Sequence, residues 1–261
     1  MFPLKDNIPT RRFPVLTVTF IVANVLMFFL FQGAGVGLGG SSIDDGRVIE
    51  YGAIPYELTH PGEQCIPRGQ ELACGPETEA ERIVGADLAA TWLTVLTSMF
   101  MHGGLLHLGG NMLFLWIFGN NIEDSMGRLR FVLFYLLGGV AALAAQTAFA
   151  PDAAVPTVGA SGAVAAVLGG YALLYPHARV ITVILIIFFF QFIELPAMVV
   201  LGLWFLLQLF FGVSELGGPA GEGGVAYWAH IGGFVFGLLV IKLFANRARG
   251  DYQASGRLPV Y

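Results

Sequence analysis

One serine and one histidine, far apart in the chain, are the residues best suited to chemistry. Ser161 stands in VGASGAVAAVLGGY at the predicted start of an apolar helix, and His230 lies about one turn into the helix of YWAHIGGFVFG. A serine hydroxyl becomes a nucleophile when a histidine takes its proton, and the histidine can return that proton to a leaving amine. The nearest acidic residues, Asp152 and Glu222, lie in predicted loops. The pair therefore predicts a dyad without a carboxylate.

A second group of residues could stabilise the negative charge that forms during such a reaction. The backbone N–H groups at the start of the helix that begins at Ser161 have no partner within the helix, and the helix dipole favours negative charge there. His107 and Asn111 are four residues apart, so they share one helix face and could point N–H donors at the same oxygen. Each preorganised donor of this kind contributes about 3 kcal/mol.

Each candidate also has a structural interpretation. Ser161 could be only a helix N-cap, since serine is a preferred cap residue, and GASG lacks the spacing of the G-x-S-x-G motif. His230 and Asn111 could form hydrogen bonds between helices. His102 and His107 could be metal ligands, but they lack the spacing of H-E-x-x-H and no Glu or Cys accompanies them. We therefore expect neither a metal nor another cofactor.

The composition predicts an integral membrane protein. Of the 261 residues 56% are hydrophobic and only 12% are charged, whereas soluble domains contain about 25% charged residues. The lipid bilayer is the expected surrounding, and the few scattered Lys and Arg residues do not indicate binding of nucleic acid. Cys65 and Cys74 could form a disulfide in an outward-facing segment, but one pair does not define a framework.

A bilayer core of about 30 Å requires roughly 20 apolar residues per helix. Arg11 and Arg12 before the first apolar run would also suit a signal peptide, but no A-x-A site follows, so we expect a retained anchor. Val180–Phe190 is too short and β-branched for a span, and we interpret it as an interfacial connection. The predicted organisation is a cytoplasmic N-terminus (1–14), a first transmembrane helix (15–31), an acidic extracytoplasmic segment (32–90), a core with five further transmembrane helices (91–244) and a cytoplasmic tail (245–261).

The distribution of basic residues predicts the orientation. Of the 13 Lys and Arg residues, only Arg47, Arg68 and Arg82 lie in segments predicted outside, which places both termini in the cytoplasm. The second, fourth and sixth helices then start at the outer face of the cell membrane. Ser161 and His230 therefore share a depth in the outer part of the bilayer, where polar side chains usually have a function.

Three motifs lie on these same helices in the sequence. They are H-x4-H-x3-N (His102, His107 and Asn111), G-A-S-G (Gly159–Gly162) and A-H-x2-G-x3-G (Ala229–Gly237). At these residues the chain resembles the rhomboid family of intramembrane serine proteases, and the resemblance extends over about Thr91–Phe244. It implies an all-α, polytopic bundle of six transmembrane helices with a long outward-facing first loop. It also implies cleavage of membrane-spanning protein substrates near the outer leaflet, without a cofactor.

The resemblance also implies roles for single residues. Ser161 would be the nucleophile and His230 the general base, while His107, Asn111 and the Ser161 backbone N–H would bind the oxyanion. His102 would be structural or would retain water. The glycines near the site would have structural roles, with Gly233 and Gly237 forming a small-xxx-small face for close helix packing: Gly159, Gly162, Gly233 and Gly237.

Two positions depart from the pattern of many family members. Trp92 is followed by Leu93 instead of Arg, and Ala165 stands where some members have a Tyr beneath the histidine ring. The alternative function is a catalytically inactive rhomboid-like protein that binds or escorts client membrane proteins. The physiological substrate, the role of segment 32–90 and the oligomeric state are open from sequence.

Overall fold

The computed structural model describes residues 2–37, 40–68, 71–78, 80, 89–186, 189–216 and 224–246. Most of the predicted tail 245–261 lies outside these residues, as do Arg82 and Glu222, which entered the interpretation of the charges. The helices are α1 (Val15–Leu26), α2 (Asp45–Tyr51), α3 (Pro55–Thr59), α4 (Thr91–Thr97), α5 (Leu105–Phe114), α6 (Asn120–Met126), α7 (Arg128–Phe149), α8 (Ser161–Leu174), α9 (Ala197–Glu215) and α10 (Tyr227–Phe244). A π-helical segment, Met27–Phe31, continues α1, and another, Leu115–Gly119, joins α5 to α6.

The lengths of the apolar helices fit a membrane protein. By length and composition, α7, α9 and α10 could each cross a membrane, and the shorter apolar helices are Val15–Phe31, Thr91–Phe100 and Ser161–Leu174. The prediction of a helical membrane protein is confirmed at the level of class. The predicted total of six transmembrane helices stays a prediction, as do the boundaries of the predicted segments.

The all-α prediction omitted the three small antiparallel sheets present among the described residues. One contains β1 (Phe2–Asp6), β6 (Arg179–Ile186) and β7 (Phe189–Pro196) in the order β1-β6-β7. The stretch Val180–Phe190 thus enters a β-hairpin, because its β-branched and aromatic residues favour extended backbone and the N-terminal strand pairs with it. The other two sheets pair β2 (Gly35–Gly37) with β3 (Gly40–Ser42), and β4 (Glu63–Arg68) with β5 (Glu71–Pro76).

Helix α8 forms the centre of the bundle, and it is buried from Gly162 to Ala172. Its backbone touches that of α10. A Cβ atom added to Gly233 would lie 2.2 Å from the Gly162 carbonyl oxygen, and one added to Gly237 would lie 2.0 Å from the Ala166 carbonyl oxygen. The glycines of α10 therefore let the two helix backbones approach more closely than any larger residue at these positions would allow. Because α8 begins at Ser161, this packing also places Ser161 next to α10.

A carboxylate from α6 fixes the start of α1. Glu123 accepts hydrogen bonds from the backbone N–H groups of Leu16 (3.1 Å) and Thr17 (2.8 Å) and from the Thr17 hydroxyl (2.9 Å). The first N–H groups of a helix have no partner within the helix, and negative charge is favourable at its N-terminus. Glu123 is almost fully buried, so it connects the first helix to the rest of the bundle.

A second buried carboxylate lies in β1. Asp6 Oδ2 accepts hydrogen bonds from the Tyr171 hydroxyl (2.5 Å) and from Asn121 Nδ2 (2.6 Å), and Asp6 is only 7% exposed. Burial raises the pKa of Asp6 from 3.8 to about 7, and the hydrogen bond from Tyr171 offsets part of this rise. The three side chains join the N-terminal strand to α6 and α8.

This raised pKa predicts a pH dependence of stability. Between about pH 4 and pH 7 the unfolded Asp6 is ionised while the folded one keeps its proton, so the free energy of unfolding falls as pH rises across that window. The ceiling of the effect is about 4 kcal/mol. We expect Asp6→Asn, which keeps an acceptor oxygen, to raise the unfolding temperature at pH 8 and to flatten its change between pH 5 and pH 8. Thermal unfolding in detergent, with the exposed Asp152→Asn as control, tests this; an unchanged pH slope in Asp6→Asn would contradict it.

Candidate active site

Ser161 is the first residue of α8, but its hydroxyl does not cap the helix. The cap position belongs to Ala160, and within the described residues the Ser161 hydroxyl makes no hydrogen bond. The first backbone hydrogen bond of the helix runs from the Val164 N–H to the Ala160 carbonyl. The N–H of Ser161 is therefore one of the groups that an α-helix leaves unpaired at its N-terminus. The interpretation of Ser161 as a simple N-cap does not hold in the structure.

Gly159 leaves space between Ser161 and the ring of His107. Its φ of +135° is a conformation that side chains rarely adopt. A Cβ atom at this position would lie 2.9 Å from His107 Nε2 and 3.4 Å from Ser161 Oγ. The Gly159 N–H donates to the Ser98 carbonyl at 2.9 Å, which anchors the turn. A glycine is therefore required here by both the backbone and the neighbouring ring.

His107 and Asn111 present hydrogen-bond donors near this space. The Gly103 N–H donates to His107 Nδ1 at 3.4 Å, so the proton of the neutral ring belongs on Nε2, the nitrogen beside Gly159. Asn111 is only 9% exposed, and its Nδ2 has no hydrogen-bond partner among the described residues. Buried donors normally have a partner. Both side chains line the same cavity as Ser161.

His230 lies on α10, at the level of Ser161. A Cβ atom added to Gly162 would lie 3.9 Å from the Ala229 carbonyl oxygen, so the residues next to Ser161 and His230 are in contact. His230 Nδ1 lies 2.7 Å from Gln208 Oε1 of α9. The nucleophile candidate and the base candidate therefore come from adjacent helices whose backbones touch.

A single cavity contains all four candidate side chains. Its volume is about 590 Å³, and α5, α7, α8 and α10 all contribute to its walls. The cavity is lined by four residues that the sequence predicted to act together: His107, Asn111, Ser161 and His230. Gly159 and Gly162 line it as well. Gly233 and Gly237 lie in the contact between α8 and α10 instead.

His102 lies beside this group and not in the cavity wall. It is fully buried, its ring centroid is 5.1 Å from that of His107, and neither ring nitrogen has a hydrogen-bond partner among the described residues. The side chain of Gln32 holds its backbone, accepting from the His102 N–H and donating to the His102 carbonyl, both at 2.9 Å. Within the same part of the chain, no three His, Cys, Asp or Glu residues are grouped as metal ligands.

Part of the acidic segment packs on the loop that leads to Ser161. The Thr157 N–H donates to the Ala53 carbonyl at 2.7 Å, and the Tyr56 N–H donates to the Ala153 carbonyl at 3.2 Å. Pro55 of α3 lines the cavity. This segment therefore forms one wall of the site, a contribution that the sequence did not reveal.

A disulfide between Cys65 and Cys74 joins β4 to β5 within this segment. The buried Glu57 of α3 accepts a hydrogen bond from the Cys65 N–H at 2.8 Å. The hairpin and the helix that carries Pro55 are thus connected. The pairing of the two cysteines, which the sequence left open, is present in the structure.

The sequence analysis missed three glutamines around the site. Gln32 holds the backbone of His102, Gln146 accepts a hydrogen bond from the Ala229 N–H at 3.2 Å, and Gln208 contacts His230. All three lie in or directly after apolar helical segments. A polar side chain within an apolar helix is a signal for a functional site, and that signal was present in the sequence.

The apolar helices and the cavity between them define a multi-pass membrane protein with a serine, two histidines and an asparagine facing one space. The chain belongs to the rhomboid family: the Rhomboid domain matches residues 89–247, which is more than half of the chain. The prediction of the family from its three motifs is therefore confirmed.

Named relatives include proteases and proteins called rhomboid-like. The chain is 32% identical over 162 residues to the rhomboid protease GluP of Bacillus subtilis (strain 168), covering 62% of this chain and 24% of that protein. It is 28% identical to the mitochondrial rhomboid protein 1 of Saccharomyces cerevisiae, with coverages of 66% and 48%. It is also 28% identical to RHOMBOID-like protein 4 of Arabidopsis thaliana, with coverages of 87% and 52%. The chain thus spans between a quarter and about half the length of these relatives.

Proposed function

We propose that this protein is an intramembrane serine endopeptidase that cleaves transmembrane segments of membrane proteins near the outer leaflet. The observation that carries the proposal is the meeting in one cavity of Ser161, His230 and two donor side chains, His107 and Asn111. The Ser161 hydroxyl makes no hydrogen bond among the described residues, and the buried Asn111 Nδ2 is unpaired within them. A bound peptide carbonyl would accept a hydrogen bond from Asn111 Nδ2 and would lie within reach of the Ser161 hydroxyl.

The first step joins Ser161 to the substrate. His230 Nε2 takes the proton of the Ser161 hydroxyl as Oγ attacks the carbonyl carbon, and the carbonyl oxygen becomes an oxyanion. His107 Nε2–H, Asn111 Nδ2–H and the Ser161 backbone N–H are the donors for that oxygen. They are positioned before the reaction begins, so they stabilise the charge without the reorganisation that water would need.

The second step releases the two halves of the substrate. His230 returns its proton to the amine nitrogen as the C–N bond breaks, which leaves an ester on Ser161. A water molecule then loses a proton to His230 and attacks the ester, and the carboxylic acid product leaves as that proton passes to the Ser161 oxygen. The acid then loses its remaining proton to water. No step needs a metal or a cofactor.

The orientation and location are part of this proposal. The basic residues support cytoplasmic termini in the cell membrane, with segment 32–90 outside. The Cys65–Cys74 disulfide within that segment supports the same side, because disulfides persist in oxidising compartments. The site at the N-terminus of α8 then opens toward the outer leaflet, and the substrates are membrane-spanning proteins held in the same bilayer.

Cleavage of a single-span test protein by the detergent-purified enzyme tests the proposal. A fluorophosphonate reagent should also label Ser161, which peptide mapping by mass spectrometry would locate. A protein that binds the test span but neither cleaves it nor reacts with the reagent would instead be the inactive, client-binding member of the family. Such a result would reject the proposed activity.

Replacement of Gly159 tests the arrangement of the donors. Gly159→Ala would put a methyl group 2.9 Å from His107 Nε2 and 3.4 Å from Ser161 Oγ, in the space where we place the oxyanion. We expect cleavage to fall by about 10²- to 10³-fold, as for loss of one oxyanion donor. Steady-state cleavage rates in detergent measure this.

Gly109→Ala is the matched control, since it lies on the helix of His107 and Asn111 with nothing within 4 Å of an added Cβ. This variant should cleave at the wild-type rate. Equal rates for Gly159→Ala and wild type would show that the oxyanion forms elsewhere.

A further inference from the structure

Gln208 is a polar side chain on the apolar helix α9, and it contacts the base candidate directly. Its Oε1 lies 2.7 Å from His230 Nδ1. Many side chains around it on α9 are exposed and apolar, as expected for a helix that faces lipid, for example Leu206, Leu207, Leu209 and Phe210. An amide within such a helix is costly unless it forms hydrogen bonds.

A second hydrogen bond determines which way the amide points. Gln208 Nε2 donates to the Trp204 carbonyl of the preceding turn at 3.4 Å. The amide nitrogen therefore faces its own helix, and the amide oxygen faces His230. Because an amide oxygen can only accept, the proton of the neutral imidazole belongs on Nδ1. The lone pair is then on Nε2, the nitrogen that must receive the proton of a nucleophile.

We propose that Gln208 is a positioning residue that holds His230 in the tautomer and ring orientation needed to accept a proton from Ser161. The inference rests on the proposed function. In proteases with a catalytic triad a buried carboxylate has this task. A neutral amide performs it without placing an ionised group inside the membrane, where charge is expensive.

The surroundings of His230 agree with this role. The indole of Trp204 lies 5.8 Å from the imidazole, centroid to centroid, and the ring of Tyr227 lies 6.5 Å away at nearly a right angle. These rings restrict the histidine, and among the described residues neither of them forms a hydrogen bond with its Nδ1. Among the described residues, the only hydrogen-bond partner of the His230 ring is Gln208.

The test compares Gln208→Leu with Gln208→Glu. Leucine removes the acceptor at similar size, and we expect kcat to fall by about 10- to 100-fold, the range known for loss of the hydrogen-bond partner that orients a metal-bound histidine, with little change in KM. Glutamate keeps an acceptor at the same position and should recover most of the lost rate. The exposed Leu206→Ala on the same helix should cleave as the wild type does.

A measurement that does not depend on activity separates this inference from the proposed function. Nitrogen-15 NMR of histidine-labelled protein reports which ring nitrogen of His230 carries the proton. We expect Nδ1–H in the wild type and a mixture of tautomers in Gln208→Leu. A wild-type ring protonated on Nε2, or an unchanged kcat in Gln208→Leu, would overturn the assignment. A wild type that shows Nδ1–H but no cleavage would reject the protease proposal and leave the tautomer assignment intact.

Discussion

Ser161→Ala is expected to abolish cleavage of a membrane-spanning substrate, with a loss of at least about 10⁴-fold in kcat. The substitution removes the only atom that we place in covalent contact with the substrate. His230→Ala should cause a loss of similar size, because nucleophile and base act as one unit and their effects do not add. The double variant should therefore be no slower than either single one.

Two observations separate a loss of catalysis from a loss of folding in this test. The Ser161 hydroxyl has no hydrogen bond among the described residues, so its removal should leave the unfolding temperature in detergent almost unchanged. Ser98 lines the same cavity, but its hydroxyl donates to the Val95 carbonyl at 3.4 Å. Ser98→Ala should therefore remain active. Equal cleavage by wild type, Ser161→Ala and His230→Ala would show that these two residues are not the catalytic dyad.

The second large effect is expected at the contact between α8 and α10. Gly233→Ala would put a Cβ atom 2.2 Å from the Gly162 carbonyl oxygen, which is backbone and cannot rotate away. The helices must separate, and the distance between Ser161 and His230 must grow with them. Overpacking of this kind costs about 1–3 kcal/mol, and a displacement of about 1 Å at the reacting groups costs on the order of 10²-fold in rate. A leucine at this position should have a larger effect still.

Gly202→Ala is the matched control for this prediction. Gly202 lies within the apolar helix α9, and an added Cβ there would meet nothing within 4 Å. The same chemical change should therefore leave activity intact. Membrane insertion, cleavage rate and thermal unfolding should be measured for both variants. A Gly233→Ala protein that cleaves at the wild-type rate would show that this contact does not set the geometry of the dyad.

Several features of the molecule were accessible from sequence because they depend on composition and local pattern. The low fraction of charged residues predicted the membrane class, and the spacing of the polar residues in three motifs predicted the family; both predictions are confirmed. The roles of Ser161, His230, His107 and Asn111 stay predictions. The structure places all four side chains in one cavity.

Other features could not be predicted from the sequence, for identifiable physical reasons. The all-α prediction missed the sheet of β1, β6 and β7, because strand pairing depends on a partner more than 170 residues away, as in the contact of Phe2 with Val183. The helix periodicity of the core segments carries no information about such a pair. The contact of Ala53 with Thr157, which forms a wall of the site, is nonlocal in the same way.

What the sequence determined by itself is the kind of residue available: a serine before an apolar helix, a histidine on a glycine-lined helix, and a polar pair one turn apart. The tertiary structure decided what those residues can do. It showed that Ser161 does not cap α8, and it directed Gln208 Oε1 to His230 Nδ1. The reason is that a hydrogen bond depends on the direction and distance of two groups, and when these lie on different helices only their packing sets both.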